Sequence, residues 1–158
     1  MTDTPNPTTT RRRSPLADAV AESPEGIVLT QMLIVADVER SVAFYRDVLG
    51  ATVERDSAPA MLRLHNGWIV LNVGGGPTND KPQVTVTPPT DPNTASAFLN
   101  IRVADIHSIY NRWSQRGAEF LTEPMERGPE YRCYLQDPDG YLIEVGQTKD
   151  ARASAAHM

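Results

Sequence analysis

Glu144 is the residue best placed to do chemistry, a carboxylate set inside the apolar run Tyr141-Leu-Ile-Glu-Val145. Taken out of water, its pKa should rise unless a cation such as Arg102 reaches it and keeps it charged. It then serves as a general base, as an acceptor for a ligand donor, or as a structural carboxylate satisfied by Arg102 or water. The other reactive types are scattered. Cys133 is the only cysteine, which excludes an intramolecular disulfide and a thiolate zinc cage. With no histidine beside it to activate it, its thiol reads as a small buried apolar group. His65 flanks a turn, His107 opens a helical stretch and His157 lies in the C-terminal tail. Gly74-Gly75-Gly76 is followed by Pro77, with no Lys-Ser or Lys-Thr pair, so it is not a phosphate loop.

Elements must hold these residues in place, and the hydrophobic pattern supplies them in one order twice. Val28–Val35 reads as a strand, and Asp37 then opens a helical pattern through Val38, Val42, Tyr45, Val48 and Leu49, which Gly50 closes. Ala51–Arg55, Ala60–His65 and Trp68–Val73 follow as strands, the last two joined at Asn66-Gly67, a strong hairpin signal. A Gly-, Pro- and Thr-rich connection runs from Gly74 to about Ser96, long enough to fold over a pocket mouth. The same order then returns: strand Phe98–Val103, a helix over Ile106–Arg116 with Trp113 on its apolar stripe, Gly117, and strands near Glu119, at Tyr131–Gln136 and at Tyr141–Gly146. Val35-Ala36-Asp37 matches Val103-Ala104-Asp105, Gly50-Ala51 matches Gly117-Ala118, and Asn66-Gly67 matches Asp139-Gly140. Three matches in one order indicate a duplicated unit.

The expected fold is therefore α+β: two βαβββ modules, at 25–75 and 97–148, whose paired, curved mixed sheets enclose a pocket, with the helices outside. Residues 1–24, rich in Thr, Pro, Arg and Ala, are expected to form a disordered tail, and 149–158 a flexible one. At 158 residues, 40% hydrophobic and 22% charged, the chain suits one soluble domain with no bilayer span. A net charge of -5 argues against a nucleic-acid surface. No secretory signal pattern precedes the domain, so the cytoplasm is the expected compartment.

Val35-Ala-Asp-Val-Glu-Arg-Ser-Val-Ala-Phe-Tyr-Arg-Asp-Val-Leu-Gly50 and Asp137-Pro-Asp-Gly-Tyr-Leu-Ile-Glu144 resemble the vicinal oxygen chelate superfamily of glyoxalases, bleomycin resistance proteins and extradiol dioxygenases. The resemblance implies metal ligands near the start of the first strand and on the last strand of each module. Counting back seven residues from Asp37 and Asp105, as the family's ligands do, gives Thr30 and Phe98, and the last-strand positions fall on Leu71 and Glu144. Only Glu144 binds a metal well, and one carboxylate does not replace a hydration shell. A register shifted by one offers Gln31 and Asn72, although alternation sends Gln31 toward the helix.

The same register points Thr30, Met32, Ile34, Ile69, Leu71, Phe98, Asn100, Arg102, Leu142 and Glu144 into the pocket. One alternate pair of Tyr131–Tyr134 joins them. The expected ligand-binding set is Thr30, Met32, Leu71, Phe98, Asn100, Arg102 and Glu144, with Glu144 the catalytic candidate. Its apolar lining suits a hydrophobic or aromatic small molecule held by a few polar contacts. The resemblance then implies a cofactor-free binding protein of the bleomycin-resistance kind. The alternative is a lyase, isomerase or dioxygenase that uses Glu144 as base, or a divalent metal held by Glu144. A homodimer is the assembly the family implies.

Overall fold

The computed structural model describes residues 13–149 and contains two βαβββ modules, each built on a four-stranded mixed sheet. In the first, β1 (Thr30–Ile34), β2 (Thr52–Arg55), β3 (Ala60–Leu64) and β4 (Gly67–Asn72) stand in the order β1-β4-β3-β2. In the second, β5 (Leu99–Arg102), β6 (Met125–Arg127), β7 (Glu130–Gln136) and β8 (Leu142–Thr148) stand as β5-β8-β7-β6. The first strand of each module runs parallel to the last. That pairing needs a crossover longer than a turn, and a helix provides its first leg.

Those helices begin where the sequence motif places them. Asp37 caps α2 (Val38–Ala43) and Asp105 caps α3 (Ile106–Gln115), each carboxylate accepting from the third amide onward, Arg40 N or Ser108 N, at 3.1 Å. α2 runs on through a π-helical turn at Phe44–Val48. Gly50 and Gly117 end the two stretches at φ 82° and 101°, a conformation open to glycine at little cost.

One apolar core spans both modules. Leu33, Leu62, Ile69 and Leu71 reach it from the first sheet, Cys133, Leu135, Ile143 and Val145 from the second, and Tyr45, Leu49, Ile106 and Trp113 from the helical stretches. The Cys133 thiol is 1% exposed, and burial pushes it from 9.0 to about 11. The unfolded chain therefore loses this proton first as pH rises. Stability from this group is nearly complete below about pH 9, falls by roughly 2 kcal/mol by about pH 11 and levels off above it. Urea denaturation of the protein and of Cys133→Ala should show a larger alkaline loss with the thiol present, on top of the loss that the raised tyrosine hydroxyls give in both; parallel curves would contradict it.

The structure departs from the sequence expectation in two elements. No strand forms at Glu119: Phe120 makes a single bridge to Leu135, and the edge strand β6 lies further on. Residues 1–12 and 150–158 of the expected tails lie outside the described residues. Pro15–Glu22, assigned to the same tail, is a helix, α1, with proline at its start. Its apolar pattern spans barely two turns, too short for periodicity to register. α1 lies against the face of the first sheet opposite the core. Ser14 Oγ is 3.7 Å from Met61 Sδ, and α1 shares a surface groove with Arg63 and Trp68. Met61, Trp68 and Val70 on that face are at most 8% exposed, yet none belongs to the core cluster. Among the described residues, no helix is long and apolar enough to cross a membrane.

Candidate functional site

Each sheet has a core face covered by its crossover helix and an opposite face, open in the second module and partly covered by α1 in the first, and register decides which side chains reach that open face. In the second module, Asn100 pairs with Glu144, Tyr134 with Glu144, and Arg102 and Arg132 with Gly146. These residues share the open face. Glu144 is 5% exposed, and both of its oxygens are engaged. Asn100 Nδ2 donates to Oε1 at 2.7 Å and Tyr134 OH to Oε2 at 2.6 Å. Arg102 Nη1 stands 3.8 Å from Oε1, while its Nη2 pairs with Glu130 at 2.9 Å and donates to Thr148 Oγ1 at 2.9 Å. Arg102 reaches this position because Gly146 lies beneath its guanidinium, where any side chain would collide with it.

The hydrogen bond to Glu144, with a smaller effect of burial, holds the Tyr134 phenol above its ordinary range. Tyr134 is thus a firmly protonated donor. Sequence reasoning left its face open between two alternate pairs. The pairing opposite Glu144 now assigns Arg132 and Tyr134 to the open face, and Tyr131 and Cys133 to the core side. Phe98 stands edge-on to Tyr134 with ring centroids 6.2 Å apart. Phe98 at 46% exposed and Met125 at 54% put apolar surface beside this polar cluster.

The first module corrects the expected site. Val70 pairs with Met32 and Met61, just as Glu144 pairs with Asn100 and Tyr134, so Val70 rather than Leu71 is the counterpart of Glu144. Leu71 is fully buried in the core, and Ile69 lies beside it. The cause is the turn. The β3–β4 hairpin turns through His65-Asn66, with His65 at φ 53° and Gly67 already paired with Leu64, whereas the β7–β8 connection takes 137–141. Aligning the two glycines displaces β4 by one residue, and a one-residue slip moves every side chain to the other face. Thr30 and Met32 do lie on the open face, opposite Trp68 and Val70, and Met32 is 48% exposed. Gln31 falls opposite Ile69 on the helix side, as alternation requires. The structure therefore gathers Asn100, Arg102, Glu144 and Phe98 on one sheet and sets Thr30 and Met32 on the other.

This donor set does not fit a divalent ion. The four equivalent positions are Thr30, Val70, Phe98 and Glu144, and the lone carboxylate already accepts from Asn100 and Tyr134. Among the described residues, no three His, Cys, Asp or Glu side chains gather to hold a metal.

The modules meet through the Asp137-Pro-Asp-Gly turn. Asp139 Oδ1 accepts from Ala36 N–H at 2.9 Å and from Arg40 Nη2 at 3.2 Å, and its Oδ2 from Ser41 Oγ at 3.2 Å. Asp137 accepts from buried Tyr45 at 2.7 Å and from the amides of Asp139 and Tyr141. Burial raises the Asp137 carboxyl above its usual range, with these hydrogen bonds pulling the other way. The Tyr141 hydroxyl caps the free edge of β1, donating to Ile34 O at 2.9 Å and accepting from Ile34 N–H at 3.2 Å. The long inter-module connection touches this end of the second sheet, where Pro92 O accepts from Gln136 Nε2 at 2.6 Å.

Comparison with known proteins gives a consistent picture. The family described as "Glyoxalase/Bleomycin resistance protein/Dioxygenase superfamily" matches residues 27–145. A lactoylglutathione lyase of Salmonella typhimurium is 30% identical over 131 residues, covering 78% of this chain and 94% of that protein. A probable lactoylglutathione lyase of Vibrio parahaemolyticus is 28% identical over 135 residues, covering 81% and 95%. Among solved structures, a glyoxalase/bleomycin resistance protein/dioxygenase from Nocardioides superposes with a TM-score of 0.64 at 20% identity, covering 79% of this chain and 85% of that one. An integron cassette protein from the mobile metagenome of V. cholerae gives 0.58 at 26% identity, covering 77% and 95%.

Proposed function

The chain belongs to the glyoxalase/bleomycin resistance protein/dioxygenase superfamily, and on that premise we propose that it binds a small hydrophobic or aromatic molecule at its open faces without a resident metal ion. The observation that carries this reading is the engagement of both Glu144 oxygens by Asn100 and Tyr134, with Thr30, Val70 and Phe98 at the other ligand positions. The exposed apolar side chains Met32, Phe98 and Met125 supply the surface that such a ligand would cover. Asn100 and Arg102 supply directed polar contacts beside it. Holding a compound in this way resembles sequestration by bleomycin resistance proteins.

A second reading is favoured by the 30% identity to a lactoylglutathione lyase: an enzyme of this superfamily in which Glu144 serves as base or metal ligand. One variant separates the two. Under the binding reading, Glu144→Gln keeps a neutral partner for Tyr134 and Asn100, and changes ligand affinity by no more than about tenfold. Under the enzyme reading, losing a general base lowers turnover by about 10²–10⁴. Native mass spectrometry of the purified protein, with and without excess Zn, Ni, Mn and Fe(II), accompanies it. The expected spectrum is the polypeptide with or without an organic adduct. A stoichiometric metal, together with lactoylglutathione lyase turnover that the substitution abolishes, would overturn the binding reading.

A further inference from the structure

The two halves of a duplicated chain meet at two related contacts, and here those contacts differ. Aligning Val35-Ala36-Asp37 with Val103-Ala104-Asp105 places Arg102 where Ile34 stands, Ala104 where Ala36 stands and Ser108 where Arg40 stands. On the first contact the chain fills the space itself. The Asp139 carboxylate, 2% exposed, takes donors from Ala36, Arg40 and Ser41, and two residues later the Tyr141 hydroxyl meets the Ile34 backbone. On the second contact, Arg102, Ala104 and Ser108 line an open groove of about 820 Å³ whose far wall is the β3–β4 hairpin.

The difference follows from loop length: the hairpin turns through His65-Asn66, whereas the β7–β8 connection uses 137–141 to reach across. Arg112 also lines the groove, and among the described residues it forms no ion pair. Among the described residues the Ala104 amide donates no hydrogen bond, whereas the equivalent Ala36 amide donates to Asp139. Apolar surface from Leu29 and Ile109 completes the walls.

We propose that this groove is a second binding site, for a small molecule that carries a carboxylate beside a hydroxylated aromatic ring. Those are the two groups that Asp139 and Tyr141 place in the equivalent contact. The carboxylate meets Ala104 N–H and Ser108 Oγ, and Arg112 supplies the cation that Arg40 supplies on the other side. The ring lies on the apolar wall with its hydroxyl toward the Arg102 backbone. This groove borders the open faces of the proposed function, sharing with them Thr30 of β1 and Asn100 and Arg102 of the edge strand β5, whereas Ser108, Arg112 and the hairpin tip take no part in that reading.

The test is titration of the full chain with 4-hydroxyphenylacetate and with its methyl ester, read by amide shifts and calorimetry. The expected result is shifts at His65, Ala104 and Ser108, with the ester about tenfold weaker or more. Arg112→Ala should weaken the acid by a similar factor while leaving the amides of Phe98 and Tyr134 unmoved. Replacing His65-Asn66 by the longer turn Asp-Pro-Asp-Gly-Tyr should fill the groove and abolish binding; if that graft fails to fold, Arg112→Ala decides alone. Equal binding of acid and ester, no effect of Arg112→Ala, or shifts confined to the open faces would overturn the proposal. So would a peptide Asp-Pro-Asp-Gly-Tyr-Leu binding far more tightly than the acid, because the occupant would then be a protein segment.

Discussion

Replacing Asp139 by Ala should lower the free energy of unfolding by about 1–3 kcal/mol, the cost of leaving a buried hydroxyl without its acceptor and losing the charge-assisted contacts beside it. The carboxylate is 2% exposed and joins the modules at three donors, so truncation leaves the fully buried Ser41 hydroxyl without its acceptor, while the exposed Ala36 amide turns to water. Arg40 matters less, because its side chain is 48% exposed and an exposed cation keeps its hydration. Urea denaturation of Asp139→Ala and Arg40→Ala side by side checks this ordering. A loss of under about 1 kcal/mol for Asp139→Ala would mean that the core alone holds the modules together.

Leu71→Asn should cost about 4–5 kcal/mol, because it combines the cavity left by a core leucine with an amide buried among apolar neighbours. Leu71 is fully buried in the cluster with Leu33, Leu62 and Ile69. The control is Met32→Asn on the open face, half exposed, where the change should fall within about 1 kcal/mol. Equal costs would return Leu71 to the pocket and restore the expected register.

That register marks the limit of what the sequence made legible. The modules, their order and the capping aspartates follow from local signals: apolar period, Asp before a helix, Gly after it. The shared face of Asn100, Arg102 and Glu144 was legible too, because the β5–β8 pairing carries them onto one side as alternation requires. The first module was not, since face assignment there depends on where a hairpin turns. His65 at positive φ moves the turn one residue ahead of the Asn-Gly signal. Tyr134 needed the partner strand to fix its side. α1 escaped notice because two turns of Pro15-Leu-Ala-Asp-Ala-Val-Ala-Glu22 carry too little pattern, and its place depends on the face that it covers.

A protein made of two like halves has an approximate twofold axis, and a ligand lying on such an axis meets the same surroundings when turned end for end. The resulting degeneracy of orientation would blur any recognition of one end from the other. α1 helps to remove it. By resting near Met61 and Trp68, the helix covers part of the first sheet's face and leaves Met32 exposed, whereas the matching face of the second sheet carries Glu144 with Asn100 and Tyr134. A ligand held across the two faces, as proposed, would therefore meet unlike halves and be read with a single polarity, to which a segment outside the repeat contributes.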